Sequence, residues 1–230
     1  FSEYAREVRL QGAEPRFVDH DAILDVDLAA HELVLVCNPN NPTGECYPTG
    51  DLLQFAEACH DAGPVLCVDE AFLDFTDRPT LAGTPGVVVA RSLTKMFGLP
   101  GLRAGFLVAT GSLQERLETV RPTWGMSTPA AAVGTHCLGA TEFVEDTRER
   151  VADERARMRS RLETRFDVSP SDAPFLLCRT TDTVGDVIEE AKEGGVVVRD
   201  ATTFRGLDSH IRVAVKRPEQ NDQLLDALGV

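Results

Sequence analysis

The sequence predicts an α/β fold, in which a large domain with a mostly parallel sheet is followed by a small C-terminal α+β domain. Three observations support this prediction. Short, wholly apolar runs recur in the first half of the chain, as expected of strands that are covered on both faces. A helical pattern separates the first two runs, and this strand–helix–strand order is typical of parallel sheets. Polar motifs follow the ends of these runs, where open α/β sheets bind ligands.

The elements of the large domain follow from local patterns. Residues 33–37 form the first apolar run. Residues 51–62 carry apolar side chains at helical spacing, and the pattern stops at Gly63-Pro64, a pair that commonly ends a helix. Further strands are predicted at 65–68, 87–90 and 104–108.

The second half of the chain has a different pattern. Residues 141–165 predict a long, highly charged helix with a thin apolar face, suited to bridging two domains. After Pro170, short predicted strands alternate with predicted helices; the strands lie at 175–178, 196–199 and 211–215, and the helices at 183–193 and 218–228. We therefore predict a large domain over 1–140 and a small domain over 141–230.

Composition limits the partners of the protein. The 230 residues include 37 acidic and 23 basic ones, for a net charge of −14. Such a balance repels nucleic acids and anionic membranes, so we expect neither as a partner. No apolar run reaches the roughly 20 residues that span a bilayer, and we predict a cytoplasmic protein. Six cysteines without a C-x-x-C pair predict buried free thiols rather than a metal site or disulfides.

One of only three lysines, Lys95, lies in the motif Ser92-Leu93-Thr94-Lys95. A Gly/Pro-rich turn follows it, and Arg103 lies eight residues after the lysine. A lysine amine can form a Schiff base with an aldehyde, and a hydroxyl and a guanidinium can hold a phosphate. The motif therefore suits a phosphorylated aldehyde cofactor.

Two motifs upstream strengthen this interpretation: the turn at 38–44, which reads Asn-Pro-Asn-Asn-Pro-Thr-Gly, and the strand end at 65–72, which contains Asp69 and Phe72. Each motif alone is weak. An Asn-Pro pair is usually only a turn, a carboxylate after a strand is often solvated, and Ser-x-x-Lys also occurs in serine acyl-enzymes. The three motifs in this order and spacing are much more specific.

With these motifs, the chain resembles the fold-type I pyridoxal-phosphate enzymes of the class I/II aminotransferase family. The resemblance implies pyridoxal 5'-phosphate as the cofactor and assigns roles to matching positions. Lys95 and Asp69 would be catalytic, the first by binding the aldehyde and the second by keeping the pyridine nitrogen protonated. The implied cofactor-binding residues are Asn41, Asp69, Phe72, Ser92, Thr94, Lys95 and Arg103.

The same resemblance implies a substrate site. Arg212 matches the arginine that clamps the substrate carboxylate, although a surface arginine on an edge strand is the alternative. Asn41 is the second implied substrate-binding residue. Trp124, the only tryptophan, is predicted either to line the substrate pocket or to pack in the core.

Phe72 indicates the branch of the family. Many fold-type I aminotransferases have tyrosine at this position, whereas threonine-phosphate decarboxylases resemble this chain in having phenylalanine. The resemblance then implies decarboxylation of L-threonine O-3-phosphate to (R)-1-aminopropan-2-yl phosphate in cobalamin (corrinoid) biosynthesis, by a homodimer. Simple packing of Phe72 is the alternative reading. A histidinol-phosphate aminotransferase and an inactive fragment are the alternative functions.

The start of the chain resembles the middle of the family's large domain. The family has about a hundred residues before the position that Phe1 matches, including a Gly-rich turn whose backbone N–H groups bind the cofactor phosphate. We therefore expect the large domain to be incomplete at its N-terminus.

Overall fold

In the computed structural model, which describes residues 2–230, the chain forms two four-stranded sheets and eight α-helices. The strands are β1 (Leu33–Cys37), β2 (Val65–Asp69), β3 (Val87–Ser92), β4 (Gly105–Val108), β5 (Asp167–Val168), β6 (Phe175–Arg179), β7 (Arg199–Asp200) and β8 (His210–Ala214). The helices are α1 (Ser2–Leu10), α2 (Thr49–Ala62), α3 (Leu93–Met96), α4 (Gly111–Val120), α5 (Thr128–Leu138), α6 (Thr141–Leu162), α7 (Val184–Glu193) and α8 (Pro218–Ala227).

The first sheet has the order β1-β2-β3-β4 and confirms the predicted mostly parallel arrangement. β1, β2 and β3 run parallel, and only β4 is antiparallel to its neighbour. The register pairs Cys37 with Asp69, so the ends of β1 and β2 lie side by side. The turn that follows β1 and the carboxylate that ends β2 therefore meet at one edge of the sheet.

Helix α2 covers one face of the first sheet. Its buried residues, Leu52, Phe55, Ala56 and Cys59, recur at three- and four-residue spacing and form one apolar stripe. The helix ends at Gly63, whose positive φ of 112° suits glycine and whose N–H donates to the Cys59 carbonyl. Burial of this stripe against β1 and β2 is what joins helix and sheet.

The second sheet is antiparallel, with the order β5-β6-β8-β7. The predicted strand at 196–199 was wrong in extent, because strand pairing begins only at Arg199. The reason is that the Val196 N–H donates to the Ala191 carbonyl and closes the end of α7 instead of pairing with β8. The helix predicted over 141–165 ends earlier, at Leu162.

Helix α6 packs against both sheet regions. Met158 and Leu162 of this helix lie in the same apolar core as residues of the second sheet. The Arg148 Nε donates to the Asp74 backbone carbonyl, which lies in the 3₁₀ turn Leu73–Phe75 after β2 of the first sheet. That core also takes in Phe75 and Met96 from the first half of the chain. The boundary near residue 140 stays a prediction. Within residues 2–230, no helix combines the length and apolar character that crossing a membrane requires.

Candidate active site

Asp69 ends β2 and is held by donors from three parts of the chain. Its Oδ1 accepts the Ala71 N–H at 3.0 Å, and its Oδ2 accepts the Tyr4 hydroxyl at 2.5 Å. The Cys37 Sγ lies 3.9 Å from the same Oδ2. These contacts fix the orientation of the carboxylate at the sheet edge.

Lys95 lies within α3, the short helix that directly follows β3. Its side chain is exposed, and its Nζ is 5.1 Å from the centre of the Phe72 ring. Among residues 2–230, no acidic side chain forms an ion pair with Lys95. The amine therefore faces the site with a cation–π contact as its described partner, which leaves it available to a carbonyl ligand.

Arg212 comes from β8, in the second sheet, and meets the turn after β1. Its Nη1 donates to the Asn41 Oδ1. The guanidinium lies 4.7 Å from the centre of the Phe175 ring and 5.7 Å from that of Phe204. Since the Oδ1 of Asn41 is used by Arg212, the amide hydrogens of Asn41 stay available to a ligand within the part of the chain that the structure describes.

One chain of contacts joins the predicted residues. The Phe72 ring packs edge-on against Phe175 at 5.1 Å, so Lys95, Phe72, Phe175, Arg212 and Asn41 follow one another through direct contacts. The Phe72 and Phe175 rings therefore form an aromatic wall, which Lys95 contacts at Phe72 and Arg212 contacts at Phe175. This wall comes from both sheet regions.

Arg199 is a charged neighbour of this cluster that the sequence patterns did not single out. β7 pairs it with Arg212 on β8, and its guanidinium lies 5.9 Å from the same Phe204 ring. Burial first, and then the positive charge of Arg199, lower the pKa of Arg212. Two guanidinium groups so close together favour an anionic ligand between them. Only the β7–β8 register reveals this pair.

The predicted phosphate-binding residues lie around α3. The Ser92 Oγ caps this helix by accepting the Thr94 N–H at 3.2 Å. Arg103 is exposed and has a left-handed backbone, with φ of 51°, and its Nη1 donates to the Pro100 carbonyl at 3.3 Å. Both side chains remain accessible beside Lys95 along the chain, as a phosphate site requires.

The structure does not bring Trp124 to this cluster. The Trp124 side chain is 98% exposed and lies between α4 and α5, with a positive φ of 62°. None of the three apolar clusters of the described residues includes Trp124. A pocket-lining role for Trp124 therefore finds no support in the contacts of the single chain.

The thiols near Asp69 are kept neutral by their surroundings. Burial, followed by the charge of Asp69, raises the pKa of Cys37 to about 12 and that of Cys67 to about 11. A cysteine acts as a nucleophile through its thiolate, so neither thiol competes with Lys95 for an aldehyde at neutral pH.

Comparison with known proteins agrees with this geometry. The chain matches the family described as Aminotransferase class I and II over residues 1–228. The chain belongs to this family. Its cofactor is pyridoxal 5'-phosphate.

Three relatives show how this family member compares with others. Histidinol-phosphate aminotransferase 1 of Archaeoglobus fulgidus is 33% identical over 97% of the chain and 68% of the relative. A Caldanaerobacter subterraneus protein named "Putative threonine-phosphate decarboxylase" is 35% identical over 99% of the chain and 68% of the relative. The crystal structure of L-threonine-O-3-phosphate decarboxylase from Porphyromonas gingivalis superimposes with a TM-score of 0.89 at 26% identity, over 100% of the chain and 73% of that protein.

The donor set of this aminotransferase family member fits the cofactor. Asp69 offers a fixed carboxylate for a protonated ring nitrogen, and Lys95 offers an exposed amine for the aldehyde. The amide hydrogens of Asn41 suit the phenolic oxygen. Ser92 and Arg103 offer a hydroxyl and a guanidinium for the phosphate. These residues are the ones that would hold pyridoxal phosphate.

Proposed function

We propose that this family member decarboxylates L-threonine O-3-phosphate as part of cobalamin (corrinoid) biosynthesis. The observation that carries the proposal is the register pair of Arg199 with Arg212, which share contact with the Phe204 ring. Two adjacent guanidinium groups suit a small substrate that carries two anionic groups. Threonine phosphate has a carboxylate and a phosphate on one four-carbon molecule, whereas histidinol phosphate has only the phosphate.

In this proposal, Arg212 holds the substrate carboxylate and Arg199 the substrate phosphate. The amine at Cα then lies toward Lys95, because Arg212 contacts the Phe175 ring and Lys95 contacts the neighbouring Phe72 ring. The position of the carboxylate determines which bond at Cα is oriented for cleavage. Carbon dioxide leaves, and a proton replaces it on Cα to give the aminopropanol phosphate.

The remaining groups support the charge changes. Pyridoxal phosphate, when bound, accepts the electron pair that departure of carbon dioxide leaves on Cα. Asp69 stabilises the associated positive charge on the ring nitrogen. Lys95 Nζ is the nearby group able to return the proton to Cα. Phe72 provides an apolar ring where a tyrosine would provide another O–H donor.

The test uses the protein translated from the complete reading frame that contains this chain. Supplied with L-threonine O-3-phosphate and no keto acid, it should release carbon dioxide over many turnovers, with the aminopropanol phosphate identified by mass spectrometry. Arg199→Met should raise KM for this substrate about tenfold or more, because a charge-assisted contact is lost. Unphosphorylated L-threonine, as the control substrate, should be much less sensitive to the substitution. Turnover that strictly requires 2-oxoglutarate would refute the proposal.

A second candidate is histidinol-phosphate aminotransferase, supported by the Archaeoglobus fulgidus relative at 33% identity. Here the arginine pair would hold the two carboxylates of glutamate or 2-oxoglutarate. With histidinol phosphate alone, such an enzyme would stop after one half-reaction until a keto acid is added.

A third candidate, an inactive binding domain, predicts that the purified protein takes up no cofactor. Visible absorbance that stays with the protein after gel filtration has removed the excess pyridoxal phosphate would refute it. We further propose, from the resemblance, that the protein acts as a homodimer in the cytoplasm; size-exclusion chromatography with light scattering would test the dimer.

A further inference from the structure

The Tyr4 hydroxyl contacts the carboxylate on which the proposed chemistry depends. It lies on α1 and donates to the Asp69 Oδ2 at 2.5 Å, across 65 positions of sequence. On this helix Tyr4, Ala5 and Val8 are half-buried, at the spacing of one face. Helix α1 therefore turns the phenol toward the end of β2, and no motif in the sequence singled it out.

The hydrogen bond from Tyr4 orients the Asp69 carboxylate because the two carboxylate oxygens are then each held by a different donor. The Ala71 N–H occupies Oδ1 at 3.0 Å, and Tyr4 occupies Oδ2. The Cys37 thiol, at 3.9 Å from Oδ2, is a weak donor. Without the phenol, the backbone bond is, among the described residues, the remaining strong hydrogen bond that fixes the rotation of the carboxylate.

The phenol also stays a donor at every working pH. Burial first, and then the hydrogen bond to Asp69, raise the pKa of Tyr4 above its ordinary value. A neutral Tyr4 keeps its proton toward Oδ2, and it adds no second negative charge beside the carboxylate.

We propose that Tyr4 is a positioning residue that holds the Asp69 carboxylate in the orientation required by the cofactor's ring nitrogen. The inference rests on the proposed role of Asp69. It concerns how the carboxylate is held, and it is the same for decarboxylation and for amino transfer.

The test compares Tyr4→Phe with Tyr47→Phe, since these are the only two tyrosines of the chain. Tyr47 is the matched control because its hydroxyl donates to the His20 backbone carbonyl and not to Asp69. The first measurement is the ¹³C resonance of the Asp69 carboxyl in cofactor-free protein, assigned with Asp69→Asn. Tyr4→Phe should shift this resonance, and Tyr47→Phe should leave it in place.

The second measurement is made after addition of pyridoxal phosphate. Tyr4→Phe should weaken cofactor affinity about tenfold, as expected for loss of a hydrogen bond to a charged group, and should alter the pH dependence of the visible band. Its kcat should fall more than its KM rises. Tyr47→Phe should lower only the melting temperature.

The outcomes separate this inference from the proposed function. An unshifted Asp69 resonance in Tyr4→Phe, or equal effects of both variants on the visible band, would overturn the positioning role. A shifted resonance in a protein that does not turn over threonine phosphate would overturn the proposed substrate and leave the Tyr4–Asp69 contact established. If wild type takes up no cofactor, Tyr4 has no positioning role and the inference fails.

Discussion

The two sheets differ in how completely the chain covers them. In the second sheet, four consecutive residues of β6, Phe175 to Cys178, are buried, so both faces of this strand are covered. In the first sheet, β1 and β2 alternate buried and more exposed residues. Cys37 and Asp69 lie on the more exposed face, together with Leu33, which is 48% exposed.

This difference affects both stability and the proposed chemistry. The more fully buried second sheet supplies a large part of the apolar core. It also contributes Arg199 from β7 and Arg212 from β8. The half-open face of the first sheet presents Asp69 to a ligand. A carboxylate that must meet a cofactor has to lie where the chain leaves room, so incomplete burial of β2 is a requirement of the proposed site.

The largest expected effect on chemistry comes from Lys95→Ala, which should abolish turnover while leaving both sheets folded, since the side chain is exposed. Borohydride reduction followed by peptide mass spectrometry should find the cofactor on Lys95 in wild type and nowhere in the variant. Lys216→Ala, which removes another exposed lysine, is the control and should behave as wild type. Reduced cofactor on Lys192 or Lys216 would contradict the assignment of Lys95.

Asp69→Asn should slow the chemical step by several orders of magnitude, because the amide cannot pair with a protonated ring nitrogen of the bound cofactor, and loss of one partner of a charge pair that the cofactor buries costs about 3–5 kcal/mol. The amide keeps the size of the side chain, so cofactor should still bind, with an altered visible band. Single-turnover kinetics would measure the step itself. Near-normal rates would show that Asp69 does not face the cofactor ring.

Leucine truncation compares the two sheets directly. Leu176→Ala, in the more fully buried second sheet, should lower the free energy of unfolding by about 2–5 kcal/mol. Leu35→Ala, on the more exposed face of β1, should cost about 1 kcal/mol, because less apolar surface is lost. Urea unfolding followed by circular dichroism would measure both values. Equal losses would mean that another segment or a second copy covers the face of Leu35.

The smallest expected effect concerns how stability depends on acidic pH in the part of the chain that forms the second sheet. The Arg165 guanidinium forms ion pairs with Glu190 and Asp182, and its hydrogen bond holds the pKa of Glu190 below its ordinary value. A lowered folded-state pKa contributes stability above the unfolded pKa that is lost as pH falls through the folded one. Glu190→Gln should therefore flatten the dependence of the melting temperature on pH below about pH 5. An unchanged slope would show that this pair contributes nothing to it.

The sequence alone determined the parts that depend on neighbouring residues. Apolar runs predicted the four strands of the first sheet, and helical spacing predicted α2, because these periodicities are local. The motifs around Asn41, Asp69 and Lys95 indicated a cofactor because each combines a ligand-binding residue type with a strand end or turn. The family match agrees with that interpretation.

Only the tertiary structure decided which distant residues meet. Arg212 reaches Asn41 across 171 positions, and Tyr4 reaches Asp69 across 65. The pairing of Arg199 with Arg212 depends on strand register, and the exposure of Trp124 depends on what the folded chain leaves uncovered. Local patterns carry no information about such contacts, because packing between separate elements and the register of paired strands fix them only when the whole chain folds.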